Sequence, residues 1–311
     1  PIERARVFLP RLAAPRRVDN DLLARSVALI TIGVVRKFVL ADTLFYMLPN
    51  RLWVDPDLFS SPRLLVYLIV YGFALYNDFA GYTSVVRGVS GLFGIELSPN
   101  FNIPYFSRSL SEFWNRWHIT LSHWLRDYVY FPTSRALLRR NPSRTNIPNI
   151  LVPPLLTMLA SGVWHGTGWA MLLWGALHGL YLILERLLAL WRPAGPPPLQ
   201  PRWRRRLAAL VVFALVMLAW VPFGAPDLST ALDYWSGLVE RWPGTSRPSV
   251  RILIALIPAL GLDWVQYHSN DEVVFLRWPR LAQATLLALA ILIIFLIVHA
   301  DTGAPFVYEG F

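Results

Sequence analysis

The sequence predicts an all-α, polytopic transmembrane protein, and three observations carry that prediction. Of 311 residues, 55% are hydrophobic and only 15% charged, a composition whose natural solvent is a bilayer. Seven apolar stretches approach or exceed the ~20 residues a helix needs to cross: Leu22–Leu48, Leu64–Val89, Ile147–Trp164, Trp169–Leu190, Leu207–Phe223, Val250–Tyr267 and Leu281–His299. The basic residues, all arginine except Lys37, lie mainly between these stretches and give a formal charge of +10. Scattered in this way they exclude a nucleic-acid-binding body, which needs a continuous basic stripe, and fit cytoplasmic loops of a membrane protein. A single membrane domain over 1–311 is expected.

The first stretch carries Arg36 and Lys37, and the second carries Asn77 and Asp78. Such groups are costly in hydrocarbon, so they are expected to face the protein interior, a wet cavity or the headgroups. Asp78 is expected to pair with an arginine, with catalysis as its second reading. Segment 98–135 does not read as a span. Trp114, Trp117, Leu121, Trp124 and Tyr128 recur there at helical spacing, and Asn115, His118, Ser122 and Arg126 form a second stripe. That pattern predicts an amphipathic helix, lying in the interface or plugged into the protein.

Ile147–Trp164 and Trp169–Leu190 read as a helical hairpin over 147–190. It is flanked by two arginine-rich loops, Arg135–Arg144 and Arg192–Arg206, the latter holding Pro196-Pro197-Pro198 and Arg204-Arg205-Arg206. Both loops are expected on the cytoplasmic side. The turn Trp164-His165-Gly166-Thr167-Gly168 is then expected away from it, and so is Ala225–Pro248, whose basic residues are Arg241 and Arg247. The chain starts at Pro1 without a methionine or a charged segment leading into an apolar one. It is expected to be a piece of a longer protein whose N-terminal helices are missing.

The chain has no cysteine, which excludes disulfides, thiolate metal sites and a cysteine acyl-enzyme. Two histidines stand out. His165 ends an apolar helix, is followed by Gly166 and Gly168, and has Trp164 and Trp169 beside it. Glycines there let a substrate or a second backbone approach, and an imidazole at membrane depth points to function. A helix C-cap is its structural alternative. His118 lies on the polar stripe among tryptophans, in surroundings that set tautomer and charge; interfacial packing is the bland reading. His178, on one face with Trp174 and Tyr181, is expected to make a helix-packing hydrogen bond, and His123, His268 and His299 to be surface or interfacial. Histidine spacing does not match a zinc site. A transporter would explain intramembrane polar residues equally well, but the inverted repeats of that class are missing from the sequence.

Ser109-Leu110-Ser111-Glu112-Phe113-Trp114-Asn115-Arg116-Trp117-His118-Ile119-Thr120-Leu121-Ser122, continuing through Trp124-Leu125-Arg126-Asp127-Tyr128-Val129-Tyr130, closely resembles the signature of the membrane-bound O-acyltransferase (MBOAT) family. The branch resembled is that of alginate O-acetylation and teichoic-acid D-alanyl transfer. Trp164–Trp169 with Leu173-Trp174-Gly175-Ala176-Leu177-His178-Gly179-Leu180-Tyr181 resembles its second signature. Pro1-Ile2-Glu3-Arg4-Ala5, Asp78-Phe79-Ala80-Gly81-Tyr82 and Pro305-Phe306-Val307-Tyr308 add weaker matches in the right order. Ala80 stands where the family has serine, and Asn115 where it has arginine.

The resemblance implies the polytopic helical MBOAT fold and a tunnel joining a cytoplasmic acyl thioester to a hydroxyl on the far side. The family's essential histidine corresponds to His165 and its second tunnel histidine to His118. His165 is expected to act as general base on the acceptor hydroxyl and His118 to bind the acyl carbonyl or its oxyanion, with Trp117, Asn115, Ser122, Arg126 and Asp78 around the substrates. The implied reaction is O-acylation, with acetyl expected, of an exported polysaccharide such as alginate at the bacterial inner membrane; D-alanylation of teichoic acid is the runner-up. The donor is acetyl-CoA or an acyl carrier and no resident cofactor is expected. The polysaccharide, the bilayer and an accessory extracytoplasmic acyltransferase or carrier protein are the expected partners, and nucleic acid is not. A transporter or a structural subunit of a polymer-export complex is the alternative from another class.

Overall fold

The computed structural model describes residues 1–143, 145–191, 201–242 and 249–300, with no side-chain description at 294 and 297–300. Arg144, the Pro196-Pro197-Pro198 stretch, Arg247, the Pro305-Phe306-Val307-Tyr308 block and the His299 side chain therefore lie outside the described residues. Among the described residues the regular elements are all helical. They are α1 (Ala5–Ala13), α2 (Asn20–Val34), a π-helical segment (Val35–Ala41), α3 (Asp42–Tyr46), α4 (Ser61–Leu92), α5 (Leu110–Trp114), α6 (Ile119–Leu125), a second π-helical segment (Arg126–Tyr130), α7 (Phe131–Arg140), α8 (Ile147–His165), α9 (Trp169–Leu190), α10 (Arg202–Gly224), α11 (Leu228–Glu240), α12 (Val250–Ser269) and α13 (Arg280–Ala300), with short 3-10 turns at Pro56–Leu58, Pro104–Phe106 and Val274–Arg277.

Five of these, α4, α8, α9, α10 and α12, are long and apolar enough to cross a membrane. They correspond to five of the seven apolar stretches, and the chain is a multi-pass membrane protein. The first stretch, Leu22–Leu48, folds as an unbroken helical run from Asn20 to Tyr46, but its middle is wound as a π-helix around Arg36 and Lys37. The chain divides into two compact units, Pro1–Pro49 with Ile69–Ile103 and Arg247–Phe311, and Asn50–Leu68 with Pro104–Ser246.

In the first unit α2 starts from an Asp19 cap whose carboxylate accepts from Leu22 N (2.8 Å), satisfying one of the free first-turn amides. Ala28, Leu29 and Ile32 of α2 pack with Val273 and Phe275. The intramembrane charges are neutralised inside the unit. Arg36 donates to Asn77 Oδ1 (2.5 Å), Asp263 Oδ1 (2.7 Å) and Gln266 Oε1 (2.7 Å). Lys37 pairs with Asp42 and Asp78, each at 2.8 Å. The expectation that Asp78 pairs with an arginine is thus corrected. Its cation is the chain's single lysine, because the neighbouring guanidinium is taken by Asn77, Asp263 and Gln266.

In the second unit α8 and α9 pack against each other. Their backbones come so close that a Cβ added at Gly162 would strike the Met171 carbonyl, and one added at Gly175 the Met158 carbonyl; only glycine fits. Pro154 inside α8 lacks the N–H that would bond the Ile150 carbonyl one turn back. Arg186 of α9 donates to that oxygen instead (3.4 Å) and also bonds Tyr130 Oη. Near Trp53, which stacks on Tyr234 (5.1 Å), the Tyr234 hydroxyl donates to Leu64 O (2.7 Å) and Ser61 Oγ to Gly237 O (2.7 Å).

The amphipathic helix expected over 98–135 is not continuous. It begins only at Leu110 and breaks at Asn115–His118 before resuming as α6. His118 sits in the left-handed region at φ 42°, ψ 53°, which no right-handed helix accommodates. The break re-aims the two stripes. Trp117 and Leu121 are buried, whereas Trp124 and Tyr128 are exposed.

Candidate active site

The site grows from the short helix α5 and the break after it. Ser109 caps α5 by accepting from Glu112 N (3.0 Å), and Glu112 returns a bond to Arg108 N (2.7 Å), the reciprocal pattern of a Ser-x-x-Glu start displaced by one residue. Glu185, projecting from α9, accepts from Leu110 N (2.6 Å) and Ser111 N (3.2 Å). Its negative charge at a helix start is favourable. This cap ties the first motif to the hairpin that carries the second. Beyond α5, Trp117 N bonds Phe113 O (2.8 Å), the chain turns through left-handed His118, and Ser122 closes the first turn of α6 by donating from its amide to His118 O (2.9 Å) and from Oγ to Trp117 O (3.1 Å).

That turn delivers the His118 imidazole to the end of α8. The His118 and His165 rings lie 6.4 Å apart between centroids, and each residue is only 3% exposed. His165 is the last residue of α8, and Gly166 N bonds Gly162 O (3.1 Å) to close the helix. Aromatic rings from three helices enclose the pair. His165 contacts Trp164 (4.9 Å), Trp174 (5.1 Å) and Phe223 (5.3 Å), and His118 contacts Trp164 (5.8 Å). Burial, and after it the neighbouring His165, pushes the His118 imidazole well below the ordinary histidine value. At pH 7 it is neutral, with one N–H to donate and one bare nitrogen to accept.

Of the other expected site residues, Asn115, Ser122 and Arg126 line one cavity of about 230 Å³, together with Trp114, Tyr130 and Arg186 among others. Trp117 is packed core, stacked on Phe113 (5.7 Å) and against Trp220 (4.8 Å), at 2% exposure. Asp78 belongs to the first unit and its Lys37 pair. His123 is half-buried on the cavity wall, and His268 is exposed. His178 does not make the expected helix-packing hydrogen bond. It is fully buried, and neither ring nitrogen has a hydrogen-bond partner among the described residues. Its neighbours are rings: Trp114, Trp174, Tyr181 and Phe113.

Sequence reasoning missed Glu185, Arg186, Trp220 and Phe223. The first two were legible as charges inside an apolar helix. Nothing in the uniformly apolar run of α10 distinguishes the other two. Among the described residues no group of three or more metal-ligating side chains converges.

Comparison with known proteins agrees with the motifs. The profile described as MBOAT, membrane-bound O-acyltransferase family, matches residues 23–221, which contain both histidines. The chain is 40% identical over 208 residues to a probable alginate O-acetylase AlgI of Azotobacter vinelandii, covering 66% of this chain and 38% of that protein. It is 34% identical over 219 residues to a teichoic acid D-alanyltransferase of Streptococcus thermophilus, covering 65% and 52%. It is 32% identical over 217 residues to a peptidoglycan O-acetyltransferase of Helicobacter pylori, covering 70% and 39%. The chain therefore spans only about 40 to 50% of the length of these relatives. With a family profile matched over more than half of the chain, and both signature histidines placed ring to ring, this chain belongs to the membrane-bound O-acyltransferase family.

Proposed function

We propose that the whole protein transfers an acyl group, acetyl in our reading, from a thioester donor at the cytoplasmic face to a hydroxyl of an exported polysaccharide such as alginate. The observation that carries this is the buried pair His118 and His165, 6.4 Å between ring centroids in an aromatic enclosure. His165 takes the proton of the acceptor hydroxyl as its oxygen attacks the thioester carbonyl. A positioned base of this kind contributes typically ~10²–10⁴-fold. A neutral His118 donates its N–H to the carbonyl oxygen as negative charge develops there, which a dry surrounding strengthens. The thiol leaves with the proton relayed through His165, so the step needs no covalent acyl-enzyme. The cavity beside Asn115, Ser122 and Arg126 receives part of a substrate. We place the protein in the bacterial inner membrane, working with an accessory acyltransferase or carrier protein, and with acetyl-CoA or an acyl carrier as donor.

D-alanylation of teichoic acid is the second reading, favoured by the similarity to the Streptococcus thermophilus enzyme over 219 residues. The test is the ester content of the secreted polymer in a strain expressing full-length His165→Ala at wild-type protein levels. Loss of ester with polymer export unchanged is expected. Normal ester content would refute the mechanism, and lost export with unchanged ester per sugar would point to a transporter. Acetate against D-alanine in the base hydrolysate separates the two acyl readings.

A further inference from the structure

Two cavities of the second unit share a wall. One is the 230 Å³ cavity beside Asn115, Ser122 and Arg126; the other, of about 440 Å³, lies between Phe131 and Ser134 of α7, Asn149 of α8 and Leu190 of α9. Tyr130 and Arg186 line both. A water's share of liquid volume is about 30 Å³, so each cavity has room for a phosphate and a stretch of the chain that bears it. Their order along α8 is regular. Asn149 and Ile150 face the larger cavity, Pro154, Thr157 and Met158 the smaller, and His165 ends the helix. At ~1.5 Å per residue the larger cavity precedes the imidazole by roughly 20 Å along the axis and the smaller by roughly 10 Å.

Arg186 is the charge that both cavities meet. Half-buried, it donates to Ile150 O (3.4 Å) and to Tyr130 Oη, and its guanidinium lies over the Tyr130 ring at 5.0 Å. Every one of these partners is neutral. Among the described residues no carboxylate lines either cavity, and the second arginine there, Arg126, has an ion pair with Asp127 stretched to 4.0 Å. Charges drawn out of water are paired as a rule, so this junction suits an anion. A guanidinium presents five N–H donors in a fixed fork, of which two are engaged here, and the fork matches the oxygens of a phosphate. The alternative oxyanion, a carboxylate of the acceptor polymer, belongs to the other side: α7 ends in Arg139 and Arg140, which lead the loop expected at the cytoplasmic face.

We propose that Arg186, helped by Arg126, binds a phosphate ester at the junction of the two cavities. The phosphate belongs to the thioester donor or to a phospholipid headgroup of the cytoplasmic leaflet, and in the first case the inference rests on the acyltransferase reading above. Acetyl-CoA and an acyl carrier both present their thioester on an arm that ends in a phosphate. Anchoring that phosphate at Arg186 leaves the arm in the smaller cavity, directed along α8 toward His165.

Two binding measurements on the full-length protein in lipid nanodiscs test this, and neither needs turnover. The first is calorimetric titration with 4′-phosphopantetheine and with pantetheine, which differ only in the phosphate. The wild type should bind the first at least tenfold more tightly. Arg186→Gln, which keeps an amide donor without the charge, should erase that preference, and this result assigns the site to the donor. The second is native mass spectrometry of protein taken from discs with equal phosphatidylglycerol and phosphatidylcholine. Retention of phosphatidylglycerol that is lost in Arg186→Gln assigns the site to a headgroup. If Arg186→Gln does not fold, Arg186→Lys replaces it; without the fork, the preference in the responding measurement should fall at least threefold. No preference for phosphate in either measurement, or preferences that the Arg186 variants leave unchanged, would overturn the proposal. A preference that depends on Arg186 in a protein that forms no ester would uphold the phosphate site while the acyltransferase reading fails.

Discussion

His118 holds φ 42° and ψ 53°, a left-handed conformation that costs a non-glycine residue about 1–2 kcal/mol. The surrounding structure maintains it by burying Trp117 and Leu121 on either side. The chemistry and the backbone of this residue are therefore separable. His118→Asn, whose side chain tolerates the left-handed region, should insert and melt like wild type yet form ester at least tenfold more slowly. His118→Ala should show the same loss of activity together with a lower melting temperature in detergent. Equal melting temperatures for the two variants would contradict the strain argument. The identities of both histidines were legible in the sequence, because imidazoles beside tryptophans and glycines stand out in an apolar chain. The backbone at His118 was not legible. Neither glycine nor proline marks the break, and the aromatic periodicity runs straight through it.

At the scale of elements, α8 and α9 were readable from two apolar runs flanked by arginine loops, but their close approach at Gly162 and Gly175 was not read from the sequence. Gly162→Val places a side chain against the Met171 carbonyl. Such overpacking costs typically about 1–3 kcal/mol and should lower the melting temperature without changing the donor KM of whatever fraction folds. What the sequence left hidden is how the hairpin holds the first motif. A glutamate in an apolar helix reads as an anomaly until its partner is known, and the partner of Glu185 is a pair of backbone amides at Leu110 and Ser111, which no side-chain pattern announces. Removing this cap with Glu185→Ala should cost about 1 kcal/mol, within the range for lost helix caps. Glu185→Gln, which keeps an acceptor, should cost less; thermal unfolding of the purified full-length variants checks the order.

For the molecule as a whole, the distribution of arginine predicts orientation. Arg139 and Arg140 at the end of α7, and Arg202 and Arg204 through Arg206 at the start of α10, should face the cytoplasm, while Asp227 before α11 should face the other side. The chain has no cysteine, so single cysteines at 139, 204 and 227 can be labelled from outside the cell against a silent background within this chain. Labelling of 139 and 204 from opposite sides would defeat the hairpin topology. The charges buried in the first unit set stability. Arg36→Met leaves Asp263 buried without its cation, a change that typically costs about 3–5 kcal/mol, and the double variant Arg36→Met with Asp263→Leu should recover most of the loss in melting temperature. The Arg36 contacts also impose an order on biogenesis. Lys37 meets its acids within 5 and 41 residues of chain, and Arg36 meets Asn77 after 41, but Asp263 emerges from the ribosome only 227 residues after Arg36. At ~5–20 residues per second that interval lasts roughly 10 to 45 s. Throughout it the helical run that holds Arg36 carries a guanidinium without its carboxylate, so its settled position in the bilayer has to wait for the segment that brings Asp263.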